Sequence, residues 1–597
     1  MPAGNKPKAQ PPTEPTLLEL ARKKFATLSR AEEELFRAVQ EGRDASALTD
    51  DEKEDDPANA ANWNADRVVR AESIAWLCTD PQASTFVTYR GLSLVGMRID
   101  AELDLNDAEI KFSLRAWGCA FLGNILLRDA QLAGLYFLRC HIKGLDAYGA
   151  RIARTVLLSK LKAIGAVNLS GATIGGDLIC NGTQLSDAKG NALDARSAKI
   201  GGSVFLSCKA EGEVRFAGAA IGGNLEFNCA AKLLNAKGKA LDAESAKIEG
   251  SVFFHLGVKV VGKVNLLGTT IGGTLVYSGL VEPKKAILDL RSASVGTLSD
   301  EKRSWPSAGK LFLDGFNYDR LFEESPLDAK SRIEWLHRQR PKRTTTLAAE
   351  LAEAIRLEIK KQSFLRRSYK RIIVVGRRIG QRLTSAAGGK NWVSAQTLTW
   401  RELFLPQPYE QLASVLRKMG HERDARLIMI EKNRDRARFT RFFQQGWWWY
   451  NVFGRLIGYG YAPWRAFAMS VVMILLGWIL FYLGFSHDLV LPTRENAYAK
   501  APNGQFVLDN SGRPKILEDY PAFNAFVYSL ESFIPLIKFD QSANWTPNAN
   551  RRTEISGFHL HVPFTGRFLR YYLYCHIAAG WILTSLWVGA VTGLVKS

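Results

Sequence analysis

Between about residues 91 and 300 the chain repeats short apolar-x-apolar pairs, and no other feature restricts its fold so tightly. Leu103/Leu105, Phe112/Leu114, Val156/Leu158, Val167/Leu169, Val204/Leu206, Leu225/Phe227, Val252/Phe254 and Leu275/Tyr277 belong to this series, most often spaced 10 to 12 residues apart. Interleaved with them is a second repeat: Ile174-Gly175-Gly176, Ile200-Gly201-Gly202, Ile221-Gly222-Gly223, Ile248-Glu249-Gly250 and Ile271-Gly272-Gly273. A short fixed period, two-residue alternation and glycine at the turns describe a β-solenoid, in which each face sends one or two side chains inward. Two such units make one coil. Coils stacking ~4.8 Å apart would give about eight coils and a rod of ~40 Å. A β-sandwich of short strands is disfavoured, because it needs longer alternation and less regular glycine.

Val167-Asn168-Leu169-Ser170-Gly171-Ala172 and the Ile-Gly-Gly series resemble the pentapeptide-repeat superfamily over about 210 residues. That resemblance implies a right-handed β-solenoid. The strict five-residue period is absent. Some members mimic DNA with an acidic rod, but Arg196, Lys199, Lys209, Arg215 and Lys247 mix cations with acids along this one. Mimicry and nucleic-acid binding are therefore not expected.

The ends of a solenoid are open sheet edges and need covers. Residues 1–60 read as a flexible tail followed by a charged amphipathic helix over Thr16–Gly42, with Asp50–Asp56 as an acidic linker. Residues 61–90 read as the cap, through a helix at Asp66–Cys78 that has Val68, Val69, Ile74 and Leu77 to bury. Residues 301–445 read as a basic helical region, with helices at Ser331–Arg338 and Thr345–Gln362 and a helical hairpin at Pro408–Arg438 that turns at Gly420. The seven cysteines show no C-x-x-C spacing, and six of them sit among apolar residues as small core side chains, which suits a reducing compartment. The first 15 residues are polar and proline-rich, unlike a secretory signal.

Formal net charge is +20, and the stretch 330–460 alone holds 28 Lys/Arg against 10 Asp/Glu. This block leads into the segment 446–465, where Trp447, Trp448, Trp449 and Trp464 alternate with Arg455 and Arg465, as at a lipid headgroup boundary. Ala466–Phe485 follows without a charge, long enough to cross a bilayer. Tyr571–Val595 reads as a second span. Two spans put both termini on one side, and the basic block places that side in the cytoplasm of a bacterial inner membrane, against an anionic leaflet. Within the intervening loop, 486–570, the segment 521–537 carries one charge, Glu531. Phe523, Phe526, Val527, Leu530, Phe533, Ile534 and Ile537 form an apolar stripe, and Pro535 ends the helix. Span, half-length helix, span is the order of two-span pore-loop ion channels, and this resemblance is topological. It makes Asn524, Ser529, Glu531 and Pro535 the candidate pore-helix residues. The potassium filter is missing: Ile537-Lys538-Phe539-Asp540-Gln541 stands in its place. The alternative is a helix resting on the outer leaflet. Gly580, Gly589 and Gly593 allow close helix packing and so homo-oligomerisation. His576 reads as solvated near the interface, with a water-lined path as the alternative.

Catalytic motifs are missing. The sequence has no dinucleotide fingerprint, P-loop, nucleophile elbow or zincin helix, and His559-x-His561 with His576 is a weak metal set. No cofactor is expected. Leu313-Asp314-Gly315-Phe316, Gln407–Leu412, Gly420–Ala425 and Gly458–Arg465 resemble uncharacterised bacterial proteins labelled membrane-associated oxidoreductase. That label implies a redox cofactor for which the sequence offers no site. The favoured expectation is a membrane signalling or effector protein, built as a bacterial stress or phage-defence effector would be. A cytoplasmic solenoid would bind an unidentified protein or ligand, and an oligomeric module would conduct ions or perturb the membrane. A non-conducting scaffold is the alternative.

Overall fold

A computed structural model describes residues 16–339 and 404–591, apart from 50, 52, 229–230, 440–449, 452–453, 455–457, 462–463, 510–513 and 558–559; side chains at 188–189, 439, 460, 552–564 and 590–591 are also outside the description. The chain forms two compact units, divided between Ile428 and Met429.

The first unit is a β-solenoid. Leu92, Leu114, Leu135, Val156, Leu178, Val204, Leu225, Val252, Leu275, Leu298 and Leu321 stack in one column of parallel strands, each paired with the next. That is ten steps, two more than the sequence reading allows. One of the two comes from Leu311–Phe312 and Asn317–Leu321, beyond the expected end of the repeat and without the Ile-Gly-Gly signature. The other lies within 92–298, where the sequence reading undercounts the coils. A second parallel sheet carries the opposite column, from Leu103 through Ile125, Leu145, Val167, Leu193, Val214, Leu241, Val264 and Leu288 to Leu311. Both columns are buried.

Close stacking of backbones explains the Ile-Gly-Gly repeat. A Cβ on Gly201 would stand 2.5 Å from the Gly175 carbonyl oxygen of the coil beneath, and Gly222 and Gly272 meet the same obstruction. The residue after each glycine pair ties adjacent coils together. Asp177 Oδ1 accepts the Ser203 N–H (2.7 Å), Ser203 Oγ that of Asn224 (3.0 Å), Asn224 Oδ1 that of Ser251 (2.9 Å) and Ser251 Oγ that of Thr274 (2.9 Å). The cysteines fill the core as expected: Cys78, Cys119, Cys140, Cys180 and Cys208 are buried free thiols. Burial pushes Cys78 and Cys208 up to about 12, which leaves them unreactive.

The first edge is covered by more than the expected helix. Thr16–Gly42 is two helices, α1 (Leu17–Lys24) and α2 (Arg30–Glu41), because Ser29 and Glu32 form a capping box that starts the second one. Glu32 also accepts from Arg70 N (3.1 Å) and Ser73 Oγ (2.7 Å), which fastens α2 to α3 (Ala71–Thr79). Ala45–Ser46 pairs in parallel with Leu94–Val95. The acidic segment is no free linker, since Asp55 pairs with buried Arg67 at 2.9 Å.

The far edge is covered by α4 (Ala329–His337) and α5 (Gln407–Lys418). Arg332, fully buried, grips Asp300 with two guanidinium nitrogens at 2.9 and 2.7 Å, and Trp305 Nε1 donates to the same carboxylate (2.8 Å). Gln407 accepts from Gly315 N (3.0 Å) and donates to Phe316 O (3.1 Å), and Gln411 donates to Tyr318 O (2.6 Å). Gln407–Leu412 and Leu313-Asp314-Gly315-Phe316 thus dock on each other as cap and last coil. Gly420, at φ +86°, turns the chain into α6 (Glu422–Phe439), as the hairpin reading requires. The expected helix at Thr345–Gln362 lies outside the described residues.

In the second unit α7 (Trp464–Ser486), α8 (Ala525–Phe533) and α10 (Gly566–Val591) pack pairwise, with the short α9 (Gln541–Asn544) ahead of α10. Among the described residues α7 is the one helix long and apolar enough to cross a membrane. The expected second span corresponds to α10, which is helical but less apolar: Tyr571, Tyr572, Tyr574, His576, Thr584 and Ser585 dilute it. The end of that expected span, 592–595, lies outside the described residues. Outside the helices, Val490–Pro492 pairs antiparallel with Trp545–Pro547, and Arg552–Gly557 with Leu560–Thr565.

Candidate functional site

Three helices of the second unit meet at His576. The ring is fully buried, so the solvated reading of this residue is wrong. Its Nε2 lies 3.1 Å from the Ser529 carbonyl oxygen and 3.3 Å from Ser529 Oγ, and Nδ1 lies 3.3 Å from the Tyr572 hydroxyl. A carbonyl can only accept, so these partners place the proton on Nε2 and let Tyr572 donate to Nδ1. Phe481, Phe533 and Tyr572 surround the imidazole with ring centroids 5.9, 5.1 and 5.4 Å away. Ser529 Oγ donates to the Ile474 carbonyl of α7 at 2.7 Å. Such a bond satisfies a buried hydroxyl and bends or pins the helix it reaches.

Contacts run in order along α7. Phe485 stacks on Phe523 (4.7 Å), Phe481 meets Tyr528 edge-on (4.8 Å), Ser529 reaches Ile474, and Phe533 packs with Ile474 and Leu583. Helix α8 therefore descends antiparallel beside α7 from Phe485 to Ile474, ~17 Å at 1.5 Å per residue. That is about half the ~30 Å apolar thickness of a bilayer. Helix α10 follows α7 over its whole length, from Leu569 at Gly484 to Trp587 at Phe467.

The chain then turns back. Asn524 caps α8 by accepting from the N–H groups of Phe526 and Val527, both at 3.1 Å. Beyond Pro535, Leu536 is 84% exposed, and Lys538 and Phe539 are exposed too. Glu531, 9% exposed, accepts from Gln541 N (2.8 Å), Ser542 N (3.3 Å) and Ser542 Oγ (2.7 Å). Gln541 Oε1 accepts from Asn524 N (3.1 Å), and Trp545 Nε1 donates to Pro521 O (3.0 Å). The segment from Ile534 to Asp540 is thus a return limb, held at its far end to the start of α8. Asp540, at φ +61°, opens onto a cleft of ≈ 530 Å³ that also involves Arg494, Asp519 and Asn544.

These positions revise several sequence assignments. Glu531 holds the return limb, and Ser529 faces α7 and α10, so neither side chain is presented outward. The face of α8 turned to its neighbours is Ala525, Tyr528, Ser529, Ser532 and Phe533, while Phe526 of the expected stripe is 41% exposed. Gly580 packs within the chain: a Cβ there would collide with the Phe533 carbonyl. Gly589 lies on α10, and Gly593 lies outside the described residues, as do Trp447, Trp448, Trp449 and Arg455. Trp464 is 66% exposed, with the Arg465 guanidinium 5.9 Å from its ring centroid. Gly477, which the sequence reading passed over, leaves room on α7 for Ser529 of α8 and His576 of α10, both of which a Cβ there would overlap; a glycine amid large apolar residues was its signal. His559 and His561 are outside the described side chains.

The outward faces of α7 and α10 are apolar. Phe467, Val472, Ile479 and Tyr482 of α7 and Tyr571, Tyr574 and Trp581 of α10 are all more than half exposed. No known family, curated protein or solved structure matches the chain.

Proposed function

We propose that this chain is a membrane-anchored effector whose solenoid lies in the cytoplasm and whose α7, α8 and α10 assemble with further copies around an ion-conducting path. The return limb carries this reading. In a bilayer, non-helical backbone is tolerated only where protein buries it or water meets it. Leu536, Lys538 and Phe539 are exposed on such a limb, beside a helix that reaches half the depth of α7. Neighbouring copies around a shared water-filled axis satisfy both conditions. Helix α10 lies along α7 from end to end, which supports a second crossing. The cations ahead of α7 support a cytoplasmic solenoid by the positive-inside rule.

The test is ion flux through liposomes that contain the purified full chain. Lys538→Glu and Asp540→Asn should shift the ratio of cation to anion permeability, because charges beside a narrow path set its selectivity. Absence of flux in a verified oligomer would overturn conduction and leave a scaffold, with the solenoid as its binding surface.

A further inference from the structure

We infer that a pocket at the start of α7 binds a phosphate ester. It has a volume of ≈ 330 Å³ and is lined by Ile430, Glu431, Arg434, Arg438, Gly458, Tyr459 and Arg465. Three arginines line it with one carboxylate, and Asp435 stands alongside. Arg434 reaches Glu431 at 3.2 Å, and Arg438 reaches Asp435 at 2.6 Å and Glu431 at 3.8 Å. Arg465 has no carboxylate partner among the described residues and only flanks the Trp464 ring, 5.9 Å from its centroid.

Glu431 bridges Arg434 and Arg438, and Asp435 adds a second carboxylate at Arg438, so these two arginines are partly neutralised within the protein. Among the described residues Arg465 is not: it sits in the first turn of α7, where the helix dipole opposes a cation. An anion in the pocket supplies the counter-charge that Arg465 lacks there. Arginine forks match the paired oxygens of a phosphate, and a pocket of this volume takes a single phosphorylated headgroup rather than an extended polyanion. Tyr459 forms a fixed apolar wall: it is buried at φ +55°, with its hydroxyl donating to Tyr450 O at 2.9 Å. Because Arg465 belongs to the pocket and to α7 alike, the acyl chains of a bound lipid would run along the exposed Phe467 and Val472. Basic pockets at the cytoplasmic ends of membrane helices bind anionic headgroups in this way. The inference goes beyond the proposed function and does not depend on conduction.

The test is binding of dioctanoyl phosphatidic acid and, separately, of glycerol 3-phosphate to the full chain in a neutral detergent. Arg434→Gln and Arg465→Gln should each weaken lipid binding about fivefold, and the double variant about 25-fold. Arg465→Lys should keep more of the affinity than Arg465→Gln. Arg426→Gln, on the same helix but outside the pocket, should stay within about twofold of the parent. Elution volume and melting temperature serve to confirm that each variant is folded. Equal binding of glycerol 3-phosphate and lipid would identify a soluble phosphate ester as the ligand; much tighter lipid binding would identify a membrane headgroup. Parental affinity in the double variant, or an equal loss in Arg426→Gln, would overturn the pocket.

Discussion

Gly477 of α7 and the His576 ring of α10 occupy adjoining space with no room for a methyl group between them. A Cβ on Gly477 would stand 2.7 Å from His576 Cε1 and 3.1 Å from Nε2. Gly477→Val should therefore force the helices apart and lower stability in detergent by about 1–3 kcal/mol, the usual range for overpacking. His576→Ala in the same chain should recover part of that loss, because the ring is one of the two groups the valine meets, the other being Ser529 Oγ. Strictly additive losses in the double-mutant cycle would show that the two residues do not share this space.

Glu531 closes the return limb with a carboxylate that accepts from Gln541 and Ser542. Removing a buried charged acceptor costs about 1.5–3 kcal/mol. Glu531→Ala should speed amide exchange at Gln541 and Ser542 by at least about tenfold, while Glu531→Gln, which keeps one acceptor oxygen, should do so less. Unchanged exchange in both variants would contradict the assignment.

Asp289 is fully buried in the solenoid between Lys263 Nζ at 2.8 Å and Arg291 Nη2 at 2.7 Å. Burial pushes its carboxyl up, but Arg291 and Lys263 outweigh burial and hold it below its ordinary 3.8. The folded value is thus lower than the unfolded one. Its contribution is complete above about pH 4 and is lost as pH falls through the folded value. The melting temperature of the parent should drop on that acid limb, and Asp289→Asn should start lower and fall less steeply. A parallel pair of curves would refute this.

Phe227, Phe254 and Tyr277 line up through three successive coils: Phe227 stacks on Phe254 with centroids 4.8 Å apart, and Tyr277 meets Phe254 edge-on at 5.8 Å. The Tyr277 hydroxyl is buried and finds no hydrogen-bond partner among the described residues. Burial also pushes the phenol well above its ordinary value, so it stays neutral. Tyr277→Phe keeps the ring without the stranded hydroxyl and should raise the urea midpoint by the equivalent of about 1 kcal/mol. A lower midpoint would mean that the hydroxyl is satisfied in solution.

The parts of the fold that were legible were those set by contacts between neighbouring coils. Gly201 needs to be glycine because the Gly175 carbonyl lies beneath it, and that requirement returns with every coil as a visible period. The turn ending at Leu321 was not legible, since its backbone path uses Leu313-Asp314-Gly315-Phe316 in place of the repeat. Cap contacts such as Arg332 with Asp300 join residues 32 positions apart and leave no local pattern. The half-length helix was legible as an element but not in its orientation. The apolar stripe rule turns the apolar residues inward, whereas Ser529 and Ser532 are turned inward and Phe526 outward. Gly477 and His576 stand 99 positions apart in two separate apolar segments, so only the folded chain could join them.

The corner ladder from Asp177 to Thr274 has a consequence for how such a chain can vary. Each polar side chain serves the coil directly above it and nothing further away. Register from Val204 to Leu225 spans 21 residues and from Leu225 to Val252 spans 27, so coils of different length already coexist in one column. Stability of this kind is a sum over neighbours. Whole coils could therefore be duplicated or deleted between Gly175 and Gly296 with both caps intact, each event changing the reach of the rod by ~4.8 Å. The solenoid is in that sense a spacer of adjustable length.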